Sequence, residues 1–294
     1  EQRRARYGRR PVVTMVIMVI ITAVYIAELF TGAMGGSALG GDPFELIRMG
    51  ANVPPLVLGG EWDRMVTATF MHGGWIHLAL NGLALLGLGA IVENTMGTAR
   101  FALVYGVSAI GASLASTVWS GALMSVGASG AIFGLLGALA VLQLCHSELM
   151  PPRLRQSRRW WIIILVINGL LPILIPQIDF VAHGVGFVIG ALTAWLVSPK
   201  GSLNDVHRRP PIWVTAMAIC LGFVTVGAVS ARATQYSSVE DVAPRFMTQV
   251  SVDDLRHRVD LNNMAWILAT TDQLSIERLH AARAMMDRIV ALEP

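Results

Sequence analysis

The chain has 294 residues, of which 54% are hydrophobic and only 14% are charged. A soluble fold of this size could hardly cover so much apolar surface, so the composition excludes most soluble proteins and indicates an all-α polytopic membrane protein. The net charge of +3 says little about acidic partners. We expect a lipid bilayer around the protein and no nucleic acid bound to it.

The amino-terminal residues 1–10 are rich in arginine and run directly into the first apolar segment. That segment is too long for a removable signal peptide and has no cleavage site, so we expect a retained first span. The start at Glu1, without a methionine, is compatible with a trimmed chain.

Seven apolar segments have the length, or nearly the length, of membrane-spanning helices. A span needs about 20 apolar residues, because lipid offers the backbone no hydrogen-bond partner outside its own helix. The shorter segments favour helices that begin or end within the membrane, against protein or water. The predicted spans are residues 12–30, 75–91, 101–123, 128–144, 161–175, 181–197 and 212–229.

Basic residues fall on one side of these spans. They gather in residues 1–10, in 153–159 after the fourth span and in 200–209 after the sixth. Because short cytoplasmic loops retain positive charge, this side is predicted to be cytoplasmic. We therefore expect a multi-pass protein of the cell membrane whose first loop, residues 31–71, and carboxyl-terminal tail, residues 231–294, are extracytoplasmic. The first loop contains apolar pieces, so we expect it to lie on or in the outer leaflet.

Polar side chains within the spans converge on one depth. Counting about 1.5 Å per residue from the inner ends of the second, fourth and sixth spans puts His77, Ser129 and His183 at one level. Asn81 lies one turn deeper, on the helix face that carries His77. Such residues are costly in lipid unless they are satisfied, so they usually face the interior of a helix bundle or a water-filled cavity.

The fourth and sixth spans are predicted to touch backbone to backbone. In the fourth span Gly130 and Gly134 form a GxxxG pair, which Gly137 continues. In the sixth span Gly186 and Gly190 form another pair. Small residues at these spacings let membrane helices approach each other closely.

A serine hydroxyl that is hydrogen-bonded to a neutral imidazole is the smallest set of groups that can carry out nucleophilic acyl transfer. The imidazole takes the hydroxyl proton and later gives it to the leaving amine. Ser129 and His183 are the candidates for these roles. The backbone N–H of Ser129, the Asn81 amide and a His77 ring N–H could form the oxyanion site, where one donor is typically worth about 3 kcal/mol. Phe133, one turn below Ser129, could hold the imidazole ring by stacking.

The same residues are also compatible with roles that involve no catalysis. Small-residue helix starts are common in membrane bundles, and a single membrane histidine often serves only packing. A transporter or channel could line a polar path with His77, Asn81 and His183, but the sequence has neither inverted repeats nor a line of acids. No acid is assigned as the third member of a triad, since Asp179 lies one turn outward. The shared depth and the two glycine pairs favour catalysis.

Neither a cofactor nor a metal is expected. Cys145 and Cys220 each stand alone in an apolar segment, so they have neither metal-binding nor disulfide spacing. We expect both thiols to pack as small hydrophobic groups.

On the basis of these residues, the chain resembles the rhomboid intramembrane serine proteases over about residues 11–230. The resemblance rests on three motifs in the family's order. They are Gly127-Ala128-Ser129-Gly130-Ala131-Ile132-Phe133-Gly134, then Ala182-His183 followed by Gly186 and Gly190, and His72, His77 and Asn81 at the spacing His-x4-His-x3-Asn.

The resemblance implies roles for most of these residues. Ser129 would be the nucleophile that forms an acyl-enzyme, and His183 the general base of a catalytic dyad. Asn81 and His77 would complete the oxyanion hole, and His72, nearer the surface, would help to organise water and the first loop. The alternative for His72 is a merely solvated side chain at a helix entrance. Supporting positions in the same motifs are Gly127, Gly130 and Phe133.

The resemblance also implies a six-helix membrane core with one appended span, residues 212–229. Substrates would be other membrane proteins, cut in or near a transmembrane segment that can unwind, with small residues favoured at the cleaved bond. The alternative is an inactive rhomboid-like protein that binds membrane clients, and the presence of both Ser129 and His183 argues against it.

Further positions match the family in part. Glu61-Trp62-Asp63-Arg64 is similar to its first-loop Trp-Arg signature, with Asp63 intervening, and implies a structural role for Arg64. Glu93 matches an acid that ends the second span and would be a cytoplasmic structural anchor. Phe133 stands where tyrosine is common. The glycine pair after His183, at Gly184 and Gly186, is displaced by one position from its usual place in the family. The resemblance therefore does not predict how the helix makes contact at this point.

Residues 231–294 are more charged and contain two helical patterns, at about residues 252–270 and 274–292. Together they are similar to one tetratricopeptide-type hairpin. A single repeat cannot bury its own apolar face, so it should pack on the membrane core, dimerise or continue beyond this chain. Two hypotheses for this tail stay open with equal weight, a partner-binding adaptor and a stabilising appendage.

Overall fold

The structure is a computed structural model that describes residues 10–30, 43–120, 122–174, 178–198, 211–233, 262, 265 and 276–291. Within these ranges every regular element is a helix, apart from an isolated β-bridge between Asn52 and Ser125. The predicted all-α class is therefore confirmed.

Seven of the described α-helices correspond to the predicted spans, and the others lie in the first loop and the tail. Helices α1, α5, α6 and α9 are long and apolar enough to cross a membrane, while α7 and the first part of α10 are shorter apolar helices. The chain is a multi-pass membrane protein. The helices are α1 (Val12–Phe30), α2 (Pro43–Met49), α3 (Pro54–Leu58), α4 (Arg64–Thr67), α5 (Trp75–Met96), α6 (Thr98–Ser120), α7 (Ser129–Leu144), α8 (Arg158–Leu174), α9 (Phe180–Val197), α10 (Ile212–Ala233) and α11 (Ile276–Val290).

The second span is longer than predicted, because α5 continues past residue 91 to Met96. Glu93 in this last part is buried and faces the start of α1. Its carboxylate accepts hydrogen bonds from the backbone N–H groups of Val13 and Thr14, at 3.0 and 2.9 Å, and from the Thr14 hydroxyl at 2.8 Å. These N–H groups have no partner within their own helix. Glu93 therefore caps α1 and ties it to α5, which is the structural anchoring expected of it.

Arg64 holds the first loop together from inside. Its side chain is fully buried and makes an ion pair with Glu61 at 2.6 Å. It also donates hydrogen bonds to the backbone carbonyls of Ile47 and Ala51, at 2.5 and 2.9 Å. A buried guanidinium is stable only when its donors are used in this way. These contacts are of the kind that a structural role for Arg64 requires.

The fourth and sixth spans touch through their glycines, as predicted. A β-carbon on Gly186 would collide with the carbonyl oxygen of Gly130, and one on Gly190 would collide with that of Gly134. A β-carbon on Gly137 would likewise strike the Phe187 carbonyl. The backbones of α7 and α9 are thus in direct contact over about two turns. Gly186 makes this contact despite the shifted glycine pair.

The seventh span, α10, packs against α6 and α4. Val214 near its start is buried, and Leu221 Cδ1 lies 3.0 Å from where a β-carbon on Gly106 of α6 would be. Cys220 in the same helix is free, and so is Cys145. Both thiols are exposed on the surface of the molecule rather than buried in its core.

The tail is described only in part. Helix α11 occupies most of the second predicted pattern, residues 274–292. The first pattern, residues 252–270, lies outside the described residues except for Asn262 and Ala265. The tetratricopeptide-type hairpin therefore stays a prediction.

The glycine contact yields a stability prediction. Gly190→Ala should lower the stability of the protein by about 1–3 kcal/mol, because the new β-carbon overlaps backbone atoms that cannot rotate away. The matched control is Gly222→Ala in α10, where a β-carbon would have no neighbour within 4 Å. Thermal unfolding of both variants in detergent measures the difference. Equal midpoints for the two variants would contradict the close approach of α7 and α9.

Candidate active site

Ser129 is the first residue of a helix that is too short to cross a membrane. Helix α7 has 16 residues and is about 24 Å long, whereas the hydrocarbon core is about 30 Å thick. The segment before it, residues 122–128, is non-helical and enters the protein beside the first loop. Ser129 therefore stands at a helix start, where backbone N–H groups point outward without helical partners.

The structure brings Ser129 and His183 together. His183 is the fourth residue of α9, and its Nε2 lies 2.9 Å from Ser129 Oγ. This distance is that of a hydrogen bond between a hydroxyl and an imidazole nitrogen. It is reached because the two helices meet at Gly130 and Gly186, so that residues at their starts face each other.

The imidazole is held from one side by an aromatic ring. The rings of Phe133 and His183 are stacked, with centroids 4.1 Å apart and planes inclined by 12°. Phe133 lies one helical turn after Ser129, so the residue that stacks on the imidazole comes from the helix that carries the hydroxyl. The loss of a tyrosine hydroxyl at this position leaves the stacking intact.

His77 and Asn81 lie beside the segment that precedes Ser129. A β-carbon on Gly127 would lie 2.7 Å from His77 Cε1, 2.8 Å from His77 Nε2 and 3.5 Å from Asn81 Nδ2. Gly127 also has a φ angle of +127°, which disfavours any side chain. Glycine is therefore required here both by conformation and by space. Asn81 is buried, and within the described part of the chain its Nδ2 has no hydrogen-bond partner.

The structure places His72 in surroundings that differ from those predicted. The sequence placed it near the surface, where the simpler alternative was a solvated side chain, but in the structure it is fully buried. Its ring lies edge-on to the ring of His77, with centroids 5.1 Å apart, and its backbone N–H donates to the Glu28 carboxylate at 3.1 Å. Burial, with a smaller contribution from nearby His77, lowers the pKa of His72 to about 3. His72 is thus a neutral neighbour of the site.

A small cavity of about 30 Å³ opens beside Ser129. Small side chains from four parts of the chain line it, among them Ala68, Ala112, Ser113, Gly130 and Ala182. The space suits a group no larger than a short side chain, since a single water needs about 10–15 Å³ on such a measure.

Sequence reasoning missed several residues around the site. Asn52, Ser116 and Ser125 form contacts between the first loop, the end of α6 and the segment before Ser129. Glu28, buried in the first span, was missed as well. Each is a polar residue in an apolar stretch, and this pattern could have marked it as a candidate. Its partners could not be found from the sequence, because they lie far away along the chain.

The chain matches known proteins over the region that carries this site. The model of the Rhomboid domain matches residues 59–200. Rhomboid protease GluP of Bacillus subtilis (strain 168) is 30% identical over 256 residues, which are 85% of this chain and 49% of that protein. RHOMBOID-like protein 1 of Arabidopsis thaliana is 32% identical over 211 residues, which are 65% of this chain and 54% of that protein.

A further relative is covered over most of its length. The putative rhomboid protease YdcA of Bacillus subtilis (strain 168) is 32% identical over 145 residues, which are 49% of this chain and 71% of that protein. By contrast, the chain spans about half the length of GluP and of RHOMBOID-like protein 1. The domain match and the coverage of YdcA show that the chain belongs to the rhomboid family.

Proposed function

We propose that the protein is an intramembrane serine endopeptidase in which Ser129 is the nucleophile and His183 the general base. The observation that carries this proposal is the 2.9 Å contact between Ser129 Oγ and His183 Nε2 within a multi-pass membrane protein. The stacked ring of Phe133 supports it, because a base must keep one orientation while the proton moves. Membership of a family whose relatives are named rhomboid proteases supports it further.

In the first half of the proposed reaction, Ser129 Oγ attacks the carbonyl carbon of the scissile bond and its proton passes to His183 Nε2. The carbonyl oxygen becomes an oxyanion, which would accept hydrogen bonds from the Ser129 backbone N–H, the Asn81 amide and a His77 ring N–H. The oxyanion then collapses, the C–N bond breaks, and His183 gives its proton to the leaving amine. An ester on Ser129 remains.

In the second half, a water molecule attacks this ester and gives a proton to His183. The second oxyanion collapses, the C–O bond to Ser129 breaks, and Ser129 recovers its proton from His183. The enzyme returns to its starting state, with the dyad alone moving protons.

The proposed substrates are transmembrane segments of other membrane proteins. A helix hides its carbonyl groups in its own hydrogen bonds, so a segment must unwind before Ser129 can reach one. The cavity of about 30 Å³ beside Ser129 favours a small side chain at the cleaved bond. The alternative, an inactive client-binding relative, has no specific observation in its favour, since both reacting groups are present and in contact.

The direct test uses purified protein in detergent. A fluorophosphonate probe should label the wild-type protein at Ser129. Ser129→Ala should abolish labelling and reduce cleavage of a model transmembrane substrate below about one thousandth of the wild-type rate. Ser147→Ala, in a short turn after α7, is the control and should retain full activity. Absent labelling together with unchanged cleavage by Ser129→Ala would rule the proposal out.

Gly127 provides a second test of the oxyanion site. Gly127→Ala should reduce fluorophosphonate labelling on the order of 100-fold, because its methyl group would displace the His77 ring and strain the backbone before Ser129. Gly184→Ala is the matched control. It lies beside His183, yet a β-carbon there has no neighbour within 4 Å, so its labelling rate should stay near that of the wild type. Equal rates for both variants would remove His77 and Gly127 from the site.

We also propose that residues 1–10 are cytoplasmic and that the tail, residues 231–294, is an extracytoplasmic segment available to a protein partner. The arginine-rich segments support this orientation. In a bacterial host, alkaline phosphatase fused after residue 294 should be active, because this enzyme works only outside the cytoplasm. The same reporter fused after residue 205 should be inactive. The reverse pattern would invert the proposed topology.

A further inference from the structure

Asp179 controls the first turn of the helix that carries His183. It is the N-cap residue of α9, and its Oδ1 accepts a hydrogen bond from the backbone N–H of Ala182 at 2.9 Å. Its backbone carbonyl accepts from the N–H of His183 at 3.2 Å. An N-cap side chain fixes where a helix begins and how its first turn is oriented. The position of Asp179 therefore bears directly on the position of the imidazole.

The other carboxylate oxygen of Asp179 is bound by a second element. Ser116, in the last turn of α6, donates its hydroxyl proton to Asp179 Oδ2. Ser116 Oγ also lies 2.9 Å from Ser125 Oγ. A hydroxyl has a single proton to donate, and that of Ser116 is already directed at the carboxylate, so Ser125 must be the donor in this second bond. The polar chain thus runs from Ser125 through Ser116 to Asp179.

Ser125 is fixed in turn by the first loop. Its backbone N–H and carbonyl exchange hydrogen bonds with those of Asn52, at 2.8 and 3.0 Å. The buried Asn52 side chain donates to the Ser113 carbonyl at 2.9 Å and accepts from the Thr117 hydroxyl at 3.0 Å. Ser125 lies two residues before Gly127 and four before Ser129. The same network therefore holds the segment that presents the serine and the helix start that presents the histidine.

We propose that Asp179 is a positioning residue of the dyad. Through its bond to Ala182 it fixes the orientation of the first turn of α9. Through Ser116 and Ser125 it fixes the position of that turn relative to the segment before Ser129. Among the described residues its carboxylate bonds to the Ala182 backbone and to the Ser116 hydroxyl and not to the His183 ring, so it acts through the backbone of α9 rather than as the third member of a triad. This inference rests on the proposed function, since positioning has a meaning only if Ser129 and His183 react together.

The test compares Asp179→Ala, Asp179→Asn and Ser116→Ala. Asp179→Ala removes the cap and the acceptor, so we expect kcat and the rate of fluorophosphonate labelling to fall by about tenfold or more, with KM little changed. Asparagine can still accept from Ala182 through its amide oxygen, but its N–H₂ group cannot accept from Ser116, so Asp179→Asn should fall between Asp179→Ala and the wild type. Ser116→Ala should resemble Asp179→Asn.

Two comparisons separate positioning from general stability. The double variant Asp179→Asn with Ser116→Ala should be no slower than the slower single variant, because both changes break one contact. Thr22→Val removes a hydroxyl that bonds to Met18 within α1, away from this network, and should leave the labelling rate unchanged. Thermal unfolding of each variant shows how much folded protein is present when the rates are compared.

The outcomes distinguish this inference from the proposed function. If the wild type is active and Asp179→Ala lowers only the unfolding midpoint, with labelling and kcat per folded molecule unchanged, the positioning role is overturned and the protease proposal stands. If the wild type neither labels nor cleaves, both are overturned. Should Asp179→Ala fail to fold, Asp179→Asn and Ser116→Ala decide the matter, and wild-type rates in both would overturn the inference.

Discussion

The direct backbone contact between α7 and α9 is the interaction on which the rest of the site depends. Two membrane helices gain little by burying apolar side chains against each other, because lipid is equally apolar, so close association needs small residues and good packing. Gly130 and Gly134 of α7 meet Gly186 and Gly190 of α9 with no side chain between them. Only at such a distance can a short serine side chain reach an imidazole on the neighbouring helix.

Buried polar side chains elsewhere in the fold serve the parts of the backbone that lack helical partners. Glu93 binds the free N–H groups at the start of α1, Arg64 binds carbonyls in the first loop, and Asn52 binds a carbonyl near the end of α6. In a low-dielectric interior an unsatisfied backbone group costs about as much as a lost hydrogen bond. These side chains therefore allow loops and helix ends to lie inside the protein. The half-buried, non-helical segment before Ser129 is likewise bonded through its backbone, at Ser125, to Asn52 of the first loop.

The sequence was sufficient for the helices and for the central pair of the site, but not for the network around it. Hydrophobic length predicted a helix at each of the seven apolar segments, and a constant rise per residue predicted one depth for Ser129 and His183, because both properties are local to one helix. The burial of His72 and the partners of Asn52 depend on how the first loop folds onto α1 and α6. Contacts between residues 44 or 61 positions apart leave no periodic signal in a single sequence. The exposure of Cys145, just after the last residue of α7, likewise depends on tertiary packing.

Some buried polar groups have hydrogen-bond partners and others do not, and this difference bears on the proposed chemistry. Asp179, Ser116 and Asn52, which hold the frame, have hydrogen-bond partners for their buried polar atoms. The Asn81 amide, which lies against the segment before Ser129, has a buried donor without a partner in the described part of the chain. Leaving such a donor unbonded is unfavourable in the resting protein. It becomes favourable when negative charge develops beside it, which is the condition that a tetrahedral oxyanion on Ser129 would create. An unbonded donor beside a hydrogen-bonded network is therefore the arrangement expected where a protein stabilises a transition state more strongly than its own ground state.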